Sequence, residues 1–522
     1  MRIIPCTMST QHPDNANVPQ WCKGEVLEGE DEVYEAFFAF SELGCHEVMW
    51  DAEGKDVDTR VIRKLLLGYG EYFEENVIGE RVFLTYRLPN PKVEEAEKKI
   101  MVESLINIPV SYDVATKFYG REVAPIFEVI LPFTTDAREL IWLHNYYKKS
   151  VVGMQEAELD HSVKAKDWVG YFKPNTIEII PLIEDMESLT RTREIVEPYL
   201  KAVQPPYLRV FLARSDPALN YGIAPAVLLS KIALSKLKEI EEETGISIYP
   251  IIGVGTMPFR GHLSPANLQN FLEEYRGVRT VTIQSALKYD YPIEEVKRTI
   301  RTLNTALPHG EQATIEPHEE QALLSAICKL KDGYQEVIVD LAPLVNSVAS
   351  YVPKRRSRKL HIGLFGYSRS VGGITLPRAI PFAAALYTIG IPPEIIGLRA
   401  INQLNEEEWD VVKAHYLNVE HDIRTAAGYI SWDNINMLTE MYAEAARRVG
   451  TRKEKLSSAI TKIMQDIEAA ENHLGAKPGS IILLQRKHEN IVNNFLIAYF
   501  EECHEEARRH LQEAAKIRRC LG

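Results

Sequence analysis

Short apolar runs rich in β-branched or aromatic residues recur along the first 370 residues. They read IIPCTM (3–8), CHEVMW (45–50), VFLTYRL (82–88), PIFEVILP (125–132), IEIIPLIE (177–184), LRVFLARSD (208–216), ISIYPIIGVG (246–255), TVTIQSA (280–286) and LHIGLFGYS (360–368). Most are continuous rather than alternating, the pattern of strands buried on both faces of a parallel sheet. Helical stretches separate them. In 220–243, Ile223, Val227, Leu228, Ile232, Leu237 and Ile240 keep a period of about 3.6, and Gly245 ends the run. Residues 92–106, 189–200 and 292–303 read the same way.

Strand–helix alternation over this length predicts repeated right-handed βαβ units. Arg87, Glu184, Asp216, Arg260, Gln284 and Arg369 stand at the carboxyl ends of different runs. Convergence of polar side chains from many strand ends is what a barrel mouth provides, so the expected fold class is α/β, a closed (β/α)8 barrel. Nine runs compete for eight positions, and the 45–50 run is expected to lie outside the cylinder. Residues 290–358 then form a helical insertion before a last strand at 360–368. Strand signals fade beyond about residue 400, and 405–470 and 484–519 are rich in Ala, Glu, Lys and Arg with helical spacing. The expected organisation is a catalytic barrel over 1–400, insertion included, and a helical C-terminal region over 401–522 packed on the barrel or at a subunit interface.

Composition narrows the function. The 522 residues carry 73 acidic and 60 basic side chains, a formal charge of −13, which argues against nucleic acid as main partner. No run reaches the roughly 20 apolar residues of a membrane span, and MRIIPCTMST lacks the apolar core of a signal peptide. Six cysteines without a C-x-x-C pair indicate neither a disulfide framework nor a zinc site. A reduced, cytoplasmic enzyme is the expected class.

Glu184 and Asp216 each end an otherwise apolar run, and neighbouring parallel strands lie about 4.8 Å apart. Two such carboxylates could share a hard divalent cation, Mg²⁺ or Mn²⁺ rather than zinc; salt bridges or helix caps are the structural alternative. Arg87, Arg260, Arg369 and Arg378 sit in glycine- and proline-rich surroundings, where as a group they would trap phosphate or carboxylate, although any one could pair with a structural acid. His12 precedes Pro13, which holds it in extended loop backbone, a place and residue type suited to proton transfer. The basic run KRRSRK at 354–359 reads as a solvated loop, or otherwise as a guide for anionic substrates. GVGTMPFRG (253–261) has Pro258 where a dinucleotide fingerprint needs its last glycine.

Taken together, the strings STQHPDN (9–15), MWDAEGK (49–55), RLPNP (87–91), PLIED (181–185), FLARSDPALNYG (211–222), PFRG (258–261), TIQSALKYD (282–290) and LHIGLFGYSRSVGGITLPRAIPF (360–382) resemble phosphoenolpyruvate carboxylases of the short archaeal type. The resemblance implies Mg²⁺- or Mn²⁺-dependent, irreversible joining of bicarbonate to phosphoenolpyruvate, giving oxaloacetate and phosphate through carboxyphosphate and an enolate. It implies Glu184 and Asp216 as metal ligands, and Arg87, Arg260, Arg378 and Gln284 around the substrate. It also makes Arg369, Arg260 and His12 catalytic, His12 by managing the proton. It further implies a homotetramer. Against the longer bacterial and plant type, Leu219 stands where a lysine is expected and the glycine-rich loop is missing. Pro258 replaces a histidine for which His262 is the nearby substitute. A citrate-lyase-like carbon–carbon lyase is the alternative, because PLIED and RLPNP are similar there too.

Overall fold

The protein is described from a computed structural model covering residues 2–53, 58–94, 98–311, 313–357, 370–371 and 373–522. Eight parallel strands close a barrel: β1 (Thr7–Ser9), β2 (Glu47–Asp51), β3 (Phe83–Arg87), β4 (Glu128–Leu131), β5 (Glu178–Ile183), β6 (Leu208–Ala213), β7 (Ile248–Gly253) and β8 (Thr280–Ile283). Sequence neighbours are spatial neighbours throughout. The ring closes where β8 meets β1, Thr7 opposite Val281.

Two expectations need correction. The 45–50 run is not outside the cylinder; it supplies β2, paired with β1 and β3. Glu47, which interrupts its apolar character, is an interior residue neutralised by Arg209 of β6 at 2.7 Å. With eight positions filled, the helical stretch 290–358 follows the last barrel strand instead of preceding it. The 360–368 run lies outside the described residues.

Period two along each strand sorts the barrel interior into layers. At the amino ends of the strands, Arg209 donates to Glu47 and to Glu128 of β4 at 2.8–2.9 Å through Nη1, and to Thr280 at 3.1 Å. Both side chains of the Arg209–Glu47 pair have zero exposure. Above lies an apolar layer of Met8, Met49, Ile130, Ile180, Leu182, Phe211 and Ile251. One further step along the same alternation brings Asp51, Arg87 and Glu184 to the carboxyl-end mouth.

The helices largely follow the predicted spacing. Ile223–Thr244 ends at Gly245 in the left-handed region, φ 70°. A short helix, Ser215–Tyr221, precedes it, and the break falls at Gly222 (φ 94°), where a Cβ would press to 3.1 Å on the Tyr334 ring. After the barrel come the 33-residue helix Pro317–Ala349, the helix Ala379–Thr388, and a series from Glu406–His415 to His504–Arg518. One hydrophobic cluster joins barrel residues such as Val48 and Ile179 to Ile463, Phe495 and Tyr499 of the C-terminal helices. No helix among the described residues is long and apolar enough to cross a membrane.

Candidate active site

A cavity of about 510 Å³ opens at the carboxyl ends of the strands. His12, Arg87, Glu184, Asp216, Arg260, Gln284 and Arg378 all line it. Seven of the eight residues singled out from the sequence are thereby brought to one place; Arg369 lies outside the described residues.

Each arrives by a different local device. Arg87 is the last residue of β3, in register with Asp51, the last of β2. Its Nε and Nη2 donate to the two Asp51 oxygens, each at 2.8 Å, and Nη2 also lies 2.9 Å from Glu53. Burial works against this guanidinium, but Asp51 and Glu53 outweigh it and raise its pKa. Glu184 follows β5 directly and is 6% exposed. Asp216 does not end the β6 strand, which stops at Ala213; it stands in the first turn of Ser215–Tyr221, where the helix dipole favours its negative charge.

Arg260 closes a single turn, Pro258–Arg260, after β7. It is 1% exposed and bonded all round: Nε donates to Ser215 Oγ (3.1 Å), Nη1 to Asp14 (3.1 Å) and the Gly522 backbone oxygen (2.7 Å), and Nη2 to Gln284. Gly261, at φ 112°, makes this turn possible, since a Cβ there would lie 2.5 Å from Val254. Gln284 is the residue after β8, and Arg378 is the N-cap of Ala379–Thr388.

The loop after β1 carries His12, whose Nδ1 is 2.8 Å from Thr10 Oγ1. A buried cation holds this loop from below: Lys288 Nζ donates to Ser9 Oγ (3.0 Å), the Thr10 carbonyl (2.9 Å) and Glu35 (2.8 Å). Asp14 fixes its other end, accepting from the Ala286 N–H at 2.7 Å.

The basic run was expected to be solvated, and for two residues it is not. Arg355 and Arg356 are 4% and 3% exposed and line the cavity with Lys354. Arg356 is neutralised by Glu35 (2.5 Å) and Glu32 (3.2 Å). His262 takes no part: its Nδ1 meets Asp422 at 2.5 Å, and it does not line the cavity. Asp14, Asp51, Glu53 and Arg355 were not singled out from the sequence. For Asp51 the signal was present, two steps beyond Met49 and four beyond Glu47 on the face that points inward.

A closed parallel barrel with carboxylates and arginines gathered at its carboxyl-end mouth defines a (β/α)8 enzyme for small anionic substrates. Residues 4–522 match the family model described as phosphoenolpyruvate carboxylase. The chain is 48% identical to phosphoenolpyruvate carboxylase of Metallosphaera sedula over 523 residues and 49% identical to that of Caldivirga maquilingensis over 522, covering 100% of both chains in each case. It is 48% identical to phosphoenolpyruvate carboxylase of Methanothermobacter thermautotrophicus over 82% of this chain and 87% of that one. The chain belongs to the phosphoenolpyruvate carboxylase family. Membership across the full barrel sets aside the citrate-lyase-like alternative.

Proposed function

We propose that this chain joins bicarbonate to phosphoenolpyruvate, giving oxaloacetate and inorganic phosphate. The observation that carries the reading is the convergence of family-motif residues from seven separate stretches of the chain on one cavity. Phosphoenolpyruvate is a phosphate ester with a carboxylate, and an arginine-lined mouth matches both groups.

The acids suit a hard divalent cation. Glu184 and Asp216 offer oxygen donors only, and among the described residues no group of three or more His, Cys, Asp or Glu side chains could hold a metal. Two carboxylates with the remaining positions left to water and substrate oxygens are the donor set Mg²⁺ or Mn²⁺ accepts. When bound, the cation would neutralise charge developing on phosphoryl and enolate oxygens.

The protein's own residues then have distinct tasks. Arg378 holds the substrate anion so that a bicarbonate oxygen faces phosphorus in line, and Arg260, already bonded to Ser215, Asp14, Gly522 and Gln284, adds its positive charge beside it. Two of the three Arg87 nitrogens are committed to Asp51 and Glu53, so Nη1 is the one proposed to meet the ligand. As the new P–O bond forms, the bond between phosphorus and the enol oxygen breaks, leaving carboxyphosphate and the enolate of pyruvate. His12, oriented through Nδ1 by Thr10, takes the carboxyl proton of carboxyphosphate on Nε2. The C–O bond to phosphate then breaks, CO₂ is released beside the enolate, and the enolate carbon bonds to it; the proton leaves His12 with the phosphate. Arg369 is proposed as a further arginine of this step. A homotetramer, with 401–522 as a region docked on the 1–400 barrel, is the proposed assembly.

The decisive experiment supplies phosphoenolpyruvate and Mg²⁺ with and without bicarbonate, following phosphate and oxaloacetate. Equimolar release that requires bicarbonate is expected; release indifferent to bicarbonate overturns the proposal. His12→Asn is expected to cut turnover by about 10²–10⁴-fold, the usual contribution of positioned acid–base catalysis, with Mn²⁺ affinity unchanged.

A further inference from the structure

The cations that line the cavity differ in how they are held. Arg87 is matched by Asp51 and Glu53, Arg260 by Asp14, and Arg356 by Glu35 and Glu32. Arg214, 1% exposed after β6, donates from Nε to the Tyr275 hydroxyl at 2.7 Å, and its Nη1 is buried without a hydrogen-bond partner among the described residues. Arg355 differs. Its Nε and Nη2 donate to the backbone carbonyls of Asn15 (3.3 Å) and Ala16 (2.9 Å), which carry no net charge. Among the described residues the nearest carboxylate to its Nη1 is Glu25, 4.0 Å away on a side chain 80% exposed. Burial pulls the pKa of this guanidinium down. Its neighbour Lys354 lies exposed at the rim of the same cavity. A cation at 4% exposure without a carboxylate bonded to it is costly to keep, and an anionic ligand removes that cost.

The position says which anion. Arg355 is tied to Asn15 and Ala16, three and four residues beyond His12. Glu184 follows β5, which is four strands from β1 whichever way the ring of eight is followed. Glu184 and Asp216 therefore stand on the β5–β6 side of the cavity, and Arg355 and Lys354 on the β1 side, next to the loop that carries His12. We infer that Arg355, with Lys354 at the rim, binds bicarbonate and holds it on the His12 side of the cavity. The anion bound there is the one whose proton His12 later takes. The assignment rests on the carboxylase reading above and names the residues that serve where the glycine-rich loop is missing.

The test measures carboxylation by the full-length enzyme against bicarbonate at saturating phosphoenolpyruvate, and the reverse, for Arg355→Ala, Arg355→Lys and Lys354→Ala. The expected result is a bicarbonate KM raised about tenfold or more in Arg355→Ala, the loss of a charge-assisted hydrogen bond, with the phosphoenolpyruvate KM within about twofold. Arg355→Lys should recover part of the loss. Lys354 makes no hydrogen bond or ion pair among the described residues, so a smaller but selective rise in bicarbonate KM in Lys354→Ala keeps the test decisive even where Arg355→Ala does not fold. Equal rises in both KM values, a rise for phosphoenolpyruvate alone, or no change in any folded variant overturns the inference. Wild-type enzyme that ignores bicarbonate overturns the carboxylase reading itself, a result visible before any variant is made.

Discussion

Arg87 and Asp51 face each other in register at the carboxyl ends of adjacent strands and form a two-point ion pair, each contact 2.8 Å long, with the acid 1% and the arginine 7% exposed. An in-register pair of this kind fixes the plane of the guanidinium as a single bond could not. Asp51→Ala should therefore leave a buried arginine without its main partner. We expect a loss on the order of 3–5 kcal/mol in denaturant unfolding, and a phosphoenolpyruvate KM raised more than that of bicarbonate. A variant that unfolds like wild type would remove Asp51 from this role.

At the opposite end of the barrel, Arg209 is, among the described residues, the cation that contacts both Glu47 and Glu128. Arg209→Met strands two carboxylates in a layer without exposure, and the expected cost is again about 3–5 kcal/mol. The site lies a full interior layer away, so both KM values of the folded fraction should stay at wild-type levels. Urea melts followed by circular dichroism, together with kinetics below the transition, read both parts.

Glu184→Gln with Asp216→Asn should abolish tight Mn²⁺ binding, monitored by electron paramagnetic resonance of the free ion. Loss of an outer-shell partner already weakens metal sites by about 10–100-fold, so loss of both acids should exceed that. Far-UV circular dichroism should stay unchanged, because neither residue belongs to a barrel strand. Retained affinity would move the metal elsewhere.

Stability should fall with rising pH on account of Glu394. Burial pushes this carboxyl up to about 7, although Tyr387 and the Phe259 N–H both donate to its Oε1, at 2.7 and 2.8 Å. Its Oε2 is buried without a hydrogen-bond partner among the described residues, a place for the retained proton. Between about pH 4.5, the ordinary value, and about 7, the native state keeps a proton that the unfolded chain has released. Stability declines across that window and levels off above it. Asp290, also pushed up to about 7 by burial, acts in the same direction. Glu394→Gln should flatten the slope by up to about 3 kcal/mol between pH 5 and 7.5; an unchanged slope refutes the assignment.

Much of this architecture was legible because parallel strands buried on both faces must be continuously apolar, and eight of the nine predicted runs are barrel strands. The misplaced piece was CHEVMW, a short run interrupted by the charge of Glu47. Its partner Arg209 lies 162 residues away, and no local pattern shows a neutralisation that distant. The same reason hid Arg355, whose acceptors are backbone carbonyls 339 and 340 residues back along the chain. A basic run can be read as solvated only while its neighbours are unknown. By contrast Glu184, Arg87 and Gln284 were readable because they are polar residues at the ends of apolar runs, which is where a strand leaves the core.

The ionic layer of Arg209, Glu47 and Glu128, roofed by Met8, Met49 and Phe211, stoppers the cylinder from beneath. Among the described residues the cavity lies at the opposite, carboxyl-end mouth. Under the proposed reaction, two anions arriving there would compete with the two departing. In the proposed reaction, a gas freed inside would have that stopper behind it and the enolate before it.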